Sequence, residues 1–265
     1  MTFSFDKYQG TGNDFIILDN RQKNFSSLTE RDIRLMCHRH FGIGADGLLL
    51  FGDKEGYDFE MVYYNSDGKP STMCGNGGRC MVMYAFNMGI KKFTYNFLAA
   101  DGAHEAEIDH RNEVRLKMQD VKSIEENSHH AILDTGSPHY VKFVGSLEGI
   151  NVEQQGREIR NSRKYIEEGI NVNFVETIGD ASIGVRTYER GVENETLSCG
   201  TGVTAAALAS AHNPRGFNQV EVKTPGGLLS VEFNKISDSE FDNIWLCGPA
   251  SFVFRGEWTI MESVK

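Results

Sequence analysis

Two short stretches carry residues whose type and spacing can do chemistry. Met73-Cys74-Gly75-Asn76-Gly77-Gly78-Arg79 sets a cysteine at the mouth of a glycine-rich turn, ahead of the apolar run Cys80–Phe86 that Gly89 is placed to stop. A thiol just before a helix faces N–H groups that have no intrahelical partner, and it sits at the positive end of the helix dipole. Both favour the thiolate and bring a cysteine below its free pKa of about 8.5. The same N–H groups can cradle an anion. Taken alone, the stretch reads equally as a glycine-rich turn with a buried cysteine. Leu197-Ser198-Cys199-Gly200-Thr201-Gly202 repeats the arrangement, ahead of the Ala-rich run Val203–Ala211 that Asn213-Pro214 ends.

The recurrence extends beyond the cysteines. A strand-like run Tyr57–Tyr64 ends in Asn65 and the turn Ser66-Asp67-Gly68 before the first cysteine. Ile183–Tyr188 runs into Glu189-Arg190-Gly191 before the second. Asn13-Asp14-Phe15 and Asn171-Val172-Asn173-Phe174 look like a further echo, strands entered through asparagine. If the halves of a duplicated chain face each other, two helix N-termini converge, each with one thiol. One thiolate then removes a proton from a carbon while the opposing thiol delivers one to the other face, inverting a stereocentre. Cysteine suits this because base and acid forms coexist near neutral pH. Backbone N–H groups of Gly75, Asn76, Gly200 and Thr201 would hold the substrate carboxylate and the charge that builds as the α-proton leaves.

Composition narrows the alternatives. The 265 residues suffice for one large or two ordinary domains, and 40% hydrophobic with 24% charged residues are globular values. A net charge of −10 without a Lys/Arg cluster argues against a nucleic-acid partner. No apolar run approaches the roughly 20 residues of a membrane span. The start Met1-Thr2-Phe3-Ser4 does not read as a secretory signal, so a cytoplasmic protein is expected. Five scattered cysteines, Cys37, Cys74, Cys80, Cys199 and Cys247, do not make a disulfide framework, and no Cys/His grouping has metal-site spacing. Gly42-Ile43-Gly44-Ala45-Asp46-Gly47 hints at a phosphate loop, but it lacks the third glycine and follows a helix instead of a strand. Neither a metal nor a phosphate-bearing cofactor is expected.

The elements that must position these residues follow from patterning. Phe3–Gln9 and Phe15–Asp19 read as strands joined by the turn Gly10-Thr11-Gly12-Asn13-Asp14. Ser27 with Glu30 suggests a capping box for a helix to about His40, with Ile33, Met36, Cys37 and His40 on one face. Strands are expected at Leu48–Phe51, near 93–98, 104–108, 113–118 and 130–135, at Asn171–Val175, and through most of 218–260. Gly156 to Glu168 reads as an exposed polar stretch. His139, in the Pro-containing turn Gly136-Ser137-Pro138-His139, is a base in principle, but a structural role is expected. Asn127-Ser128-His129 is a candidate domain boundary.

These motifs together resemble the diaminopimelate epimerase family over essentially the whole chain. The resemblance rests on Met73–Arg79, on Glu189-Arg190-Gly191 with Cys199-Gly200-Thr201-Gly202, and on Gly10–Phe15, Gly136–His139 and Asn171–Phe174. It implies an α/β (α+β) fold of two pseudo-symmetric domains, each a curved, mostly antiparallel sheet wrapped around a central helix. The C-terminal strand returns to the first domain, giving 1–125 plus 253–265 and 126–252. It implies a cofactor-independent isomerase, homodimeric, that interconverts LL- and meso-2,6-diaminopimelate on the route to lysine and peptidoglycan precursors. Cys74 and Cys199 would be the acid/base pair, and Gly75, Asn76, Gly200 and Thr201 the clamp on the reacting end. Asn13, Asn65, Ser137, Asn171, Glu189 and Arg190 would make the remaining contacts, with Arg190 suited to hold the distal carboxylate bidentately. Two positions depart from some members, which have Asn where Ser137 stands and Gln where Gly47 stands. Within the same fold, a proline or hydroxyproline racemase-like enzyme would carry histidine where this chain has Asn76. From another class, the cysteines would form a reversible disulfide in a thiol-redox or binding protein.

Overall fold

The computed structural model describes residues 2–260. The chain divides into two compact units, Met1–Leu116 with Pro249–Lys265, and Lys117–Gly248.

In the first unit, β1 (Thr2–Gly10) and β2 (Asn13–Asp19) form an antiparallel hairpin. Its turn residues Thr11 and Gly12 take φ of 49° and 83°, the left-handed region that a tight hairpin of this hand requires. Helix α1 (Glu30–Cys37) crosses to β3 (Gly47–Gly52), which lies parallel to β2. β4 (Phe59–Asn65) runs antiparallel to β3, with the short β5 (Pro70–Ser71) at its end. Helix α2 (Gly75–Asn87) then crosses to β6 (Thr94–Ala99), parallel to β4, and β7 (Gly102–Ile108) and β8 (Val114–Lys117) follow antiparallel. The late strand β18 (Ser251–Thr259) pairs along β1.

The second unit repeats this order element by element. β9 (Ile124–Glu126) flanks β10 (Ala131–Asp134), which makes a hairpin with β11 (Pro138–Val144). Helix α3 (Val152–Arg160) crosses to β12 (Asn171–Gly179), parallel to β11. β13 (Ser182–Glu189) and β14 (Asn194–Thr196) continue antiparallel, and helix α4 (Gly200–Ala209) crosses to β15 (Gly216–Thr224), parallel to β13. β16 (Gly227–Lys235) and β17 (Phe241–Gly248) complete the run.

Each sheet wraps its second helix. Every residue of α2 from Gly75 to Ala85 is buried, and the helix packs against β1, β2, β3, β4, β7 and β18. Helix α4 is buried from Gly202 to Leu208 and packs against β10–β13 and β15–β17. A helix that is apolar all round can only be central. The strands alternate to match: along β15, Asn218, Val220, Val222 and Thr224 point inward. Among the described residues no helix is long and apolar enough to cross a membrane.

Several expectations are corrected here. The glycines after each cysteine are helix, not turn: α2 starts at Gly75 and α4 at Gly200. Intrinsic propensity disfavours glycine there by about 1 kcal/mol each, but close packing wants it. A Cβ on Gly78 would meet Leu116 Cδ2 at 3.3 Å, and one on Gly202 would meet Asn173 Oδ1 at 2.4 Å. The capping box of α1 is Thr29 with Asp32, not Ser27 with Glu30, and His40 lies beyond the helix and is exposed. The polar stretch from Gly156 begins inside α3, whose Gly156 lies so close to Tyr188 that a Cβ would come within 2.3 Å of it. His139 lies in β11, not in a turn. The compact units join at 116/117 and 248/249; β9 pairs with β10, and Met118 N–H donates to Ile244 O at 2.9 Å. Residues 261–265 of the expected first domain lie outside the described residues. The repeat also matches β2 with β11 and β3 with β12, so the strands of Asn13 and Asn171 are not equivalents; Gly47 occupies the place of Asn171.

Candidate active site

Cys74 and Cys199 are the N-cap residues of α2 and α4, the equivalent helices of the two repeats. Their backbones match, at φ −106°, ψ 130° and φ −115°, ψ 112°, and neither side chain caps its helix. No acidic residue lies in either first turn. Each cysteine therefore stands beside first-turn amides and the positive end of a buried dipole. Among the described residues none of the five cysteines is disulfide-bonded. Burial pushes Cys37 and Cys80 up to about 12, so both are inert thiols at neutral pH.

In the first unit, Asn13 Nδ2 lies 3.8 Å from Cys74 Sγ and donates to it, while Asn13 Oδ1 is buried with no partner among the described residues. The turn carrying Asn13 is pinned by charge. Lys7 Nζ pairs with Asp14 at 2.8 Å and also donates to Gly44 O, and Arg39 bridges Asp14 at 2.7 Å and Asp46 at 2.6 Å. Burial would raise Asp14, but hydrogen bonds from Arg39 and Lys7 outweigh it and hold the carboxyl at about 2. Asn76 is fully buried, and its Oδ1 accepts from Arg79 Nη2 at 3.0 Å. Arg79, also fully buried, reaches Thr11 Oγ1 at 3.3 Å and Gly75 O at 3.4 Å. Asn65 ends β4, opposite Gly47, and is half-buried.

In the second unit, Cys199 Sγ lies 3.5 Å from Thr201 Oγ1, and Thr135 Oγ1 donates to Thr201 O at 2.8 Å. Ser137, Asn171 and Arg190 form one cluster. Asn171 Nδ2 donates to Ser137 Oγ at 2.9 Å, Asn171 Oδ1 accepts from Arg190 N–H at 2.8 Å, and Arg190 Nη2 reaches Ser137 Oγ at 3.2 Å. Glu189, the last residue of β13, occupies the place of Asn65 in the first repeat. Beneath α4, buried Asn173 donates to His139 Nδ1 at 3.0 Å and accepts from Thr187 Oγ1 at 2.9 Å. Burial, with the Arg190 charge second, lowers His139 to about 3, so the ring is neutral at physiological pH and is part of the core.

The expected residues are thus gathered into two clusters, one in each unit. Thr11, Arg79, Thr135 and Asn173 were not singled out from sequence. Arg79 stood inside the quoted motif, and only its burial reveals what it holds. Among the described residues no group of three His, Cys, Asp or Glu side chains is placed to hold a metal ion.

The diaminopimelate epimerase family model matches residues 5–124 and 131–253, across both repeats. The diaminopimelate epimerase of Flavobacterium psychrophilum is 48% identical over 250 residues, covering 94% of this chain and 97% of that protein. That of Chlorobaculum tepidum is 43% identical over 263 residues, covering 95% and 99%. Among solved structures, a PhzF-family phenazine biosynthesis protein of Bacillus anthracis superposes with a TM-score of 0.73 over 98% of this chain and 100% of that one; its 16% identity speaks for the fold alone. Matched through both repeats and nearly end to end, the chain belongs to the diaminopimelate epimerase family.

Proposed function

We propose that this isomerase interconverts LL- and meso-2,6-diaminopimelate without a cofactor, by two-base proton transfer between Cys74 and Cys199, on the route to lysine and peptidoglycan precursors. The observation that carries the reading is the placement of one cysteine at the N-cap of the equivalent buried helix in each repeat. In the proposal both helix N-termini serve one α-carbon. The thiolate takes the α-proton and becomes a thiol. The opposite thiol gives its proton to the other face and becomes a thiolate, so protons and charge balance. First-turn N–H groups of Gly75, Asn76, Gly200 and Thr201 hold the reacting carboxylate and the charge that develops on it.

The remaining polar residues recognise the rest of the substrate. The buried, unpartnered Oδ1 of Asn13 suits a substrate ammonium. Arg190, fastened by Ser137 and Asn171, presents its guanidinium to the distal carboxylate, with Glu189 and Asn65 completing the shell. Incubation with LL-diaminopimelate in heavy water tests the whole. The wild type is expected to invert one α-carbon and to place solvent deuterium there. Cys74→Ala and Cys199→Ala should each abolish inversion. Near-normal turnover in either variant would refute the two-base reading, and inversion without label would refute proton transfer.

A further inference from the structure

We infer that Arg79 breaks the chemical equivalence of the two repeats, holding Cys74 as the resting thiolate while Cys199 rests as the thiol. This rests on the two-cysteine reading above and assigns the charge within it. Aligning the repeats on Cys-Gly-x-Gly puts Arg79 of α2 opposite Thr204 of α4. Both side chains are fully buried, and both reach back to the carbonyl of the residue after the cysteine. Arg79 Nη1 lies 3.4 Å from Gly75 O, and Thr204 Oγ1 lies 3.0 Å from Gly200 O. The same mechanical role is filled by a cation in one repeat and by a neutral hydroxyl in the other. A guanidinium stays protonated in proteins. Set against the carbonyl of Gly75, the residue after Cys74, it puts a fixed positive charge at the start of α2.

Two further differences point the same way. Asn13 offers Cys74 Sγ an amide N–H, which can only donate and so favours the anion, whereas Cys199 Sγ meets the Thr201 hydroxyl, which serves thiol and thiolate alike because it accepts an S–H as readily as it donates. In the first repeat β4 ends in neutral Asn65; its equivalent in the second, β13, ends in Glu189. Neighbouring charges on the packed elements do not reverse this. Asp14 of β2 is paired with Lys7 and Arg39, and the Asp101 carboxylate accepts from Met73 N–H and lies 3.1 Å from His104 Nε2. His139, facing α4 from β11, is neutral; Arg190 keeps its charge, held on Ser137 Oγ and Glu168 O, and adjoins the carboxylate residue Glu189 in the chain. In one direction of catalysis the resting Cys74 thiolate accepts the α-proton and Cys199 donates its own. The charge then resides on Cys199 until protons exchange with water.

Alkylation of the substrate-free enzyme by iodoacetamide across pH, with each cysteine followed by peptide mass spectrometry, tests this without turnover. The pH midpoint is read for each thiol, so differing accessibility changes amplitude and not the answer. The wild type is expected to show a lower midpoint at Cys74 than at Cys199. In Arg79→Met the Cys74 midpoint should rise by on the order of one pH unit, with Cys199 unmoved, and Arg79→Lys should restore most of the difference. A wild-type midpoint lower at Cys199, or an Arg79→Met profile unchanged at Cys74, overturns the inference. The wild-type measurement stands even if a variant fails to fold. Because no turnover is involved, the outcome is independent of whether Cys→Ala variants still epimerise.

Discussion

Gly202→Ala puts a methyl group where the structure leaves no room. Its Cβ would stand 2.4 Å from Asn173 Oδ1 and 3.4 Å from Cys199 Cβ. Asn173 cannot yield cheaply. It is fully buried, its Oδ1 accepts from Thr187 at 2.9 Å, and its Nδ2 donates to His139 at 3.0 Å and to Tyr140 O at 3.3 Å. Displacing it strands two or more buried polar groups, each costing about 1–3 kcal/mol. Alanine recovers about 1 kcal/mol of helix propensity, leaving a net loss of about 1–5 kcal/mol. The alternative relief, a shift of the first turn of α4, misplaces Cys199, and a 1 Å error at a reacting group costs about 10²-fold in rate. Gly77 is the equivalent residue of α2, and its Cβ would meet the flexible Met61 Cε at 3.3 Å. Gly77→Ala should therefore be near neutral. Urea unfolding and epimerase turnover, run on both variants side by side, check the reasoning. Equal stability and equal turnover for Gly202→Ala and Gly77→Ala would refute it.

Two further outcomes concern charge. His139 takes a proton near pH 6.5 in an unfolded chain but only at about 3 when folded. The unfolded chain therefore binds more protons between those values, and stability falls as pH falls through that window, by about 1.4 kcal/mol per unit. The slope of unfolding free energy against pH should be shallower by about one proton in His139→Asn, and an unchanged slope would remove His139 from the account. Lys7→Met leaves half-buried Asp14 with Arg39 alone and should cost about 2 kcal/mol at pH 7. Since the folded Asp14 carboxyl titrates at about 2, that deficit should shrink as Asp14 is protonated. A deficit independent of pH in calorimetry would mean that packing, not charge, was lost.

Much of this site is legible in the chain because local chemistry writes it. Cys-Gly-x-Gly ahead of an apolar run marks each helix N-terminus, and the strand, turn, cysteine and helix order exposes the duplication. Alternation along β15 and the turn residues between strands announce the sheets. Local signals also have limits. A glycine run reads as a turn unless something distant packs against it, and only Leu116, Met61 and Asn173 show why glycine is required inside α2 and α4. The helix α3 hides in a polar stretch because a surface helix shows little apolar periodicity, and Gly156 makes sense only against Tyr188.

What the sequence by itself determined is the kind of chemistry: two cysteines in repeated settings, the polar residues around them, and the family whose motifs they form. Residue type and short-range spacing suffice for that. What only the tertiary structure decided is how the repeats differ. The register of parallel pairing places Gly47, not Asn13, opposite Asn171 in the duplication. Burial turns Arg79 from the end of a motif into a cation beneath the Cys74 turn, and turns His139 from a candidate base into a neutral core residue. Charge acts through space and desolvation through enclosure, and neither is written in the order of residues along the chain.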